Sequence, residues 1–367
     1  MCTKNTNQEP LIIPPKPVRK VAIIKCRAFV DGVGSETVSR TFFVWGPEGN
    51  PYNMPIISIQ TQENYLFDYN IGNYTAGVDF DTWRTKNPED NKGYRPDFSN
   101  YWRKGRETER PVSIELFDSD LRSVMNSNAG WRINGNNSRS YKIKSLRIYA
   151  RGEYSKPGNF KHNLFDQIVT GSPLPDNQKF KSIKIRGNGE GGYISHDVVA
   201  NRLMQPVYLG ATRIKPCIHF INGEYWGITA IRDRFDKNYY AINFNLDPDN
   251  ITIVQWLGDN YGINEGDDRD LQQFAALQKL LTDGNMANAA QYKQATDLLD
   301  MNTFIDHFIM GIFTEDDSNE TCYWRVRAVE NGTHGDGRWR VSVNDYDAAF
   351  VKKEFGKMET RTIGTNI

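Results

Sequence analysis

The feature that most constrains this chain is a change of hydrophobic period near Asp268. Upstream of it, apolar residues come in short runs rich in β-branched and aromatic side chains. VAIIKCRAFV, SRTFFVWG, PVSIELF, SLRIYA, KSIKIRG and PCIHFINGEYWGITAI all read as strands. In the last of these, Asn222 and Gly223 fall between two such runs, and because both residues tolerate positive φ they predict a tight hairpin turn. PIISIQTQENYLFDYNIGNY continues the strand pattern as far as Gly72, and the polar stretch from Thr82 to Arg110 reads as an ordered, aromatic-rich loop. From Asp268 onward the spacing changes. Leu271, Phe274, Leu277 and Leu281 lie three, three and four residues apart, which predicts a helix ended by Gly284. AAQYKQATDLLD and MNTFIDHFIMGIF predict two more, the second with Phe304, Ile305, Phe308, Ile309 and Ile312 on one stripe. The segment CYWRVRAVENGTHGDGRWRVSVNDYD then returns to strands around a glycine-rich turn at 332–337. Strands, then helices, then a further hairpin imply an α+β fold with a β-rich first half and a helical second lobe, rather than parallel βα repeats.

Charge narrows the function classes. Lys plus Arg and Asp plus Glu both total 45 in 367 residues, so the chain lacks the positive surplus that a broad nucleic-acid or anionic-membrane surface requires, although local basic pockets remain open to it. Its apolar runs, such as 11–13 and 21–24, fall far short of the roughly 20 residues that span a bilayer. The polar start, MCTKNTNQEP, has no signal-peptide core, which fits a cytosolic protein or a processed form of an exported one. Cys2, Cys26, Cys217 and Cys322 are scattered without metal-ligand spacing and read as buried or free thiols, with lipid attachment at Cys2 as the alternative. The Asn-x-Thr triplets at 73–75 and 331–333 are of a kind that arises by chance.

Four places could carry chemistry. In SYKIKSLRIYA, alternation puts Lys144 on the apolar side with Leu146; a buried ammonium must find an anion, such as a phosphate, or lose its proton, unless the strand is an edge and Lys144 reaches water. Just before it, Gly135, Asn136, Asn137, Ser138 and Arg139 form a donor-rich turn of the sort that cradles phosphate and also of the sort that makes ordinary turns. A second such stretch, RGNGEGGY at 186–193, lacks the ending of a Walker motif. Asp345 and Asp347 are spaced so that an extended backbone points both carboxylates to one side. Mg²⁺ would relieve their repulsion, and a solvated acidic turn is the plainer option. Finally, Glu315, Asp316, Asp317, Asn319 and Glu320 follow the helix predicted at 301–313, where negative charge opposes the helix dipole. A lysine for phosphates, a base with an asparagine behind it and an aspartate pair for metal make up the parts of phosphoryl transfer.

These same residues carry a resemblance. INGNNSRSYKIKS, NGEYWGITAIRDRFDKNYY with LDPDNI, TEDDSNETCYW and NDYDAAF together resemble the CotH kinase family, atypical protein kinases named after a spore coat protein, from about Pro55 to the last twenty residues. The resemblance implies an atypical kinase-like fold with leader and short strands at 1–50, a β-rich lobe at 51–231 and a helical lobe at 232–367. It implies ATP and Mg²⁺, with Mn²⁺ as a substitute, and transfer to serine or threonine hydroxyls of a protein substrate. Lys144 takes the position of the phosphate-binding lysine, with Arg139, Tyr225, Trp226 and Arg232 bordering the nucleotide, and Asp345 with Asp347 the position of the metal pair. The catalytic aspartate of the pattern falls on Glu315 with Asp316 beside it; Asn319 matches the first asparagine, and Glu320 replaces the second. Family members also usually run further past the aspartate pair than Ile367. A catalytically silent binding module of the same fold, with a surface protein as partner, is the second expectation. A glycan-binding β-rich module using Trp83 and Trp102 is the third. An extracytoplasmic or cell-surface bacterial location follows from the resemblance alone.

Overall fold

The computed structural model describes residues 18–47, 49–90, 98–162, 164–165, 179–187, 194–206, 210–257, 260–315, 321–332, 334–343 and 345–350. They form a mixed α+β fold in two compact units. The first comprises residues 1–162, 177–194 and 215–232, and the second residues 163–176, 195–214 and 233–367.

The first unit is built on a closed seven-stranded barrel. Around it run Ser182–Arg186, Glu224–Arg232, Ile214–Ile221, Ile56–Gln60, Arg110–Phe117, Ser123–Asn134 and Ser145–Tyr149, which pairs back with Ser182–Arg186. Ile214–Ile221 and Ile56–Gln60 are parallel, with Ile218 opposite Ile56. Alternation sends Ile57, Ile59, Trp131, Ile133, Leu146, Ile148, Ile183, Ile185 and Ile231 inward, all buried, so the barrel interior is a packed core. On the other face, Phe43 and Trp45 cover Ile56, Ile218 and Phe220. The hairpin at Asn222 and Gly223 forms as the sequence implies, with φ of 50° and 86°. Two expectations fail here: Glu63–Phe67 and Gly77–Lys86 are helices, where strand continuation and loop were expected. Ser123–Asn134, for which the sequence raised no expectation, is a long strand despite its polar, Gly- and Asn-containing sequence.

The second unit holds a four-stranded antiparallel sheet in the order Tyr261–Glu265, Ile251–Trp256, Thr321–Val326, Arg340–Val343. Its two faces are read off alternate residues. Val254, Tyr323 and Val341 pack against Phe274, Leu277 and Phe304 of the helices Asp268–Asp283 and Met301–Thr314, while Ile253, Cys322 and Trp324 meet Tyr239, Tyr240 and Phe244 of the helix Lys237–Phe244. Aspartate or asparagine side chains start these helices and the helix Ala289–Leu298. Asp267, Asn288 and Asp300 each accept hydrogen bonds from two backbone N–H groups of the first turn, and Asp236 accepts one. Helical structure therefore does not wait for Asp268: Lys237–Phe244 and Ile194–Met204 precede it, because packing contacts compensate for weak amphipathic patterns. The helix Met301–Thr314 is present, but its expected apolar stripe is divided. Phe304 and Met310 are buried, whereas Ile305, Ile309 and Ile312 are exposed.

Candidate functional site

In the second unit, the helix Ile194–Met204 and the loop after the last strand bring three carboxylates together. One oxygen from each of Asp197, Asp345 and Asp347 lies within 4.8 Å of the others. Asp345 and Asp347 do not lie on an extended strand, as alternation suggested. The strand ends at Val343, and beyond it the Asp347 N–H donates to Asp345 Oδ1 at 3.2 Å, which bends the backbone into a turn. Asp197 is fully buried and held on two sides. Asn201 Nδ2 donates to its Oδ1 at 2.9 Å, and the Tyr346 N–H, between the two other aspartates in sequence, donates to the same atom at 3.2 Å. Asn201 is oriented in turn by the Thr212 N–H and hydroxyl, which donate to its Oδ1 at 2.9 and 3.0 Å. The loop is fastened further on: the Ala349 carbonyl lies 2.5 Å from His196 Nδ1, and the Phe350 N–H donates to the Thr314 carbonyl at 2.6 Å. Tyr346 and Ala349 pack with Ala200, Met204 and Met310 beneath.

Hard oxygen donors held this closely fit a divalent cation such as Mg²⁺ or Mn²⁺. Sequence reasoning singled out Asp345 and Asp347 and missed Asp197. The signal available was an aspartate and an asparagine four residues apart on a helix face that also carries Ala200 and Met204. Glu315 caps the helix Met301–Thr314 in the left-handed region, at φ 52° and ψ 25°. The Phe350 contact ties that helix end to the aspartate loop. Asp316, Asn319 and Glu320 lie outside the described residues.

In the first unit, Lys144 is buried, but not on a strand: residues 141–143 are bent chain after the short 3-10 helix Asn137–Ser140, and the strand begins at Ser145. Its Nζ donates to the carbonyls of Arg139 and Tyr141 at 2.7 and 3.0 Å and sits 4.1 Å from the centre of the Tyr101 ring and 5.2 Å from that of Tyr74. Burial pulls its ammonium down to about 7. The side chain therefore does not reach water as an edge residue would. Tyr74 Oη accepts from both the Lys144 N–H and Trp226 Nε1 at 2.8 Å, which places Trp226 beside the lysine. Arg139, also buried, donates to the carbonyls of Gly135, Tyr101 and Arg103, and burial lowers it to about 10. Lys144, Arg139 and Trp226 thus gather in one place. Tyr225 packs elsewhere, its ring stacked on Tyr52, and Arg232 stands at the far end of the strand Glu224–Arg232. Trp83 stacks on Phe98, and Trp102 carries Lys104 and Arg139 over its ring. Among the described residues, no helix is long and apolar enough to cross a membrane.

The family model described as CotH kinase protein matches residues 131–365, well over half of the chain, and the chain belongs to that family. No curated protein matches it.

Proposed function

We propose that this chain is a metal-dependent phosphotransferase that moves the γ-phosphoryl group of ATP to serine or threonine hydroxyls of a protein. The observation that carries this reading is the convergence of Asp197, Asp345 and Asp347 in a member of the CotH kinase protein family. Mg²⁺ held by these carboxylates would neutralise charge on the transferring phosphates, which is the larger part of catalysis in reactions of this type. Asp197, fixed by Asn201 and the Tyr346 N–H, sets the position of the loop and so the spacing of the other two ligands. Glu315 or Asp316 would orient the attacking hydroxyl and accept its proton, with Asn319 behind them. Lys144 and Arg139 would meet the phosphates once they exchange their backbone carbonyl partners for phosphate oxygens, and Trp226 would border the base.

Calorimetric titration of the full chain with ATP, with and without Mg²⁺ or Mn²⁺, tests this reading. Metal-dependent ATP binding that is lost in Asp345→Ala is the expected result, followed by γ-phosphate transfer to a protein acceptor. Nucleotide binding without transfer would identify a silent binding module. No binding in either protein would overturn the reading.

A further inference from the structure

In the first unit, the strands Ala22–Cys26 and Val38–Phe42 form a two-stranded antiparallel ribbon beside the barrel. Ile23 stands opposite Thr41, and Lys25 opposite Ser39. The Thr41 N–H is spent on Glu115 Oε2 at 2.9 Å, and the Ser39 carbonyl accepts from Asn126 Nδ2 at 3.1 Å, so these groups turn toward the barrel and away from the ribbon partner. Antiparallel rungs alternate between those whose N–H and C=O groups bond across and those whose groups face outward on both strands. The N–H and C=O of Ile23 and Lys25 therefore point out of the ribbon's other edge. Val21, in the same phase, shows the direction: its N–H donates to the Gly223 carbonyl at 3.0 Å. Past that bond, the outward groups of Ile23 and Lys25 meet no backbone partner among the described residues.

The side chains around this edge are apolar and lie in water. Ile24 is 53% exposed, Val38 and Phe42 on the same face are 49% and 47% exposed, and the ribbon's tip carries Phe29, Val30 and Val33 at 66%, 72% and 73%. A sheet of two strands is marginal by itself. An open ladder flanked by exposed apolar side chains is a template for a further strand.

We propose that this edge pairs antiparallel with the same edge of a second copy of the chain, giving a four-stranded sheet across a two-fold axis. Charge and hydrogen bonding select the register. Centring the pair on Ile23 sets Lys25 against Val21, whose N–H is already taken by Gly223. Centring it on Lys25 sets two ammonium groups directly opposite one another, which repels. Centring it on Ile24 avoids both. Ile23 of each copy then takes the hydrogen-bonded position opposite Lys25 of the other, and the two Ile24 side chains meet at the closest cross-strand approach. The edges alone bury less than the roughly 800 Å² per partner of a stable interface. Antiparallel pairing also sends each apolar tip past Cys26 toward the base of the other ribbon, which adds buried area and covers Phe29, Val30 and Val33. A weak, concentration-dependent dimer is the consequence.

Sedimentation velocity of the full chain across a concentration series tests this, beside the Lys25→Pro variant. Proline at 25 removes only an outward N–H, because the inward ladder bonds fall at Ala22, Ile24 and Cys26. The expected result is a dimer that forms with rising concentration and weakens about tenfold or more in Lys25→Pro. Disulfide trapping reads the register independently of how that variant folds. In a Cys2→Ser/Cys26→Ser background, Ile24→Cys should form an intermolecular disulfide on oxidation that reductant releases. Arg122→Cys, at a side chain 75% exposed and off the ribbon, should not. A monomer at every concentration would make Lys25 a guard against pairing and overturn the proposal. A dimer that Lys25→Pro leaves intact, or equal cross-linking at positions 24 and 122, would overturn it as well.

Discussion

The buried carboxylate of Asp197 accepts a 3.2 Å hydrogen bond from the backbone N–H of Tyr346, the residue between Asp345 and Asp347. One aspartate thereby both contributes an oxygen to the cluster and fixes the loop that carries the other two. Asp197→Ala is expected to weaken Mn²⁺ binding more than tenfold and to lower stability by about 1–3 kcal/mol, because it removes the carboxylate that accepts from the Tyr346 N–H and leaves the Asn201 amide only the backbone carbonyl of residue 197. Asp345→Ala, on the half-buried loop, should reduce metal affinity with a smaller stability cost. Metal titration paired with urea unfolding separates the two effects, and equal stability loss in both variants would refute the positioning role.

Lys144 gives the fold a pH dependence of definite sign. In the unfolded chain a lysine keeps its proton up to about 10.4, whereas burial brings the folded value down to about 7. Between these limits the unfolded chain binds more protons, so stability rises with pH. Lys144→Met removes this contribution and should flatten the rise by about 2 kcal/mol between roughly pH 7 and 9. Urea midpoints of both proteins across that range measure it. An unchanged slope would mean that the ammonium keeps its charge in the fold.

Arg213 and Asp233 form an ion pair whose side chains are 2% and 3% exposed. Asp233→Ala strands a guanidinium in the interior of the second unit and is expected to cost about 3–5 kcal/mol. Replacing both partners, as in Arg213→Met/Asp233→Leu, should recover most of that loss. A double-mutant cycle in chemical denaturation provides the check.

Gly223 combines positive φ with a close neighbour: at 86°, a Cβ would lie 2.6 Å from the Val21 carbonyl oxygen. Gly223→Ala is expected to destabilise by about 1–3 kcal/mol through backbone strain, and Asn222→Gly, which tolerates φ 50° but removes the Oδ1 that accepts from the Thr61 N–H at 2.9 Å, by about 1 kcal/mol through the lost hydrogen bond. Thermal unfolding of the two variants compares them directly.

The legible parts of the fold were those with a local cause. The turn at Asn222 and Gly223 follows from backbone preference, and Asp268–Asp283 from its apolar spacing. Ser123–Asn134 escaped notice because its partners on both sides hold it in the barrel, and its own residues scarcely favour a strand. Ile194–Met204 escaped notice because Asp197 and Asn201 occupy its buried face, which disguises the period. For the site, alternation put Lys144 on the apolar side of a strand but left burial and a water-reaching edge both open; the fold buries it, just before the strand rather than on it. Two aspartates one residue apart were conspicuous, while the third, 148 positions before Asp345, acquires meaning only through folding.

The interleaving of the two units determines how the molecule can be divided. A piece beginning at Asp233 would carry Asp345 and Asp347 yet omit residues 195–214, and with them the helix that brings Asp197. The cluster is thus encoded in two separated stretches of chain, and a protein split at that point would recover it only by complementation between the halves.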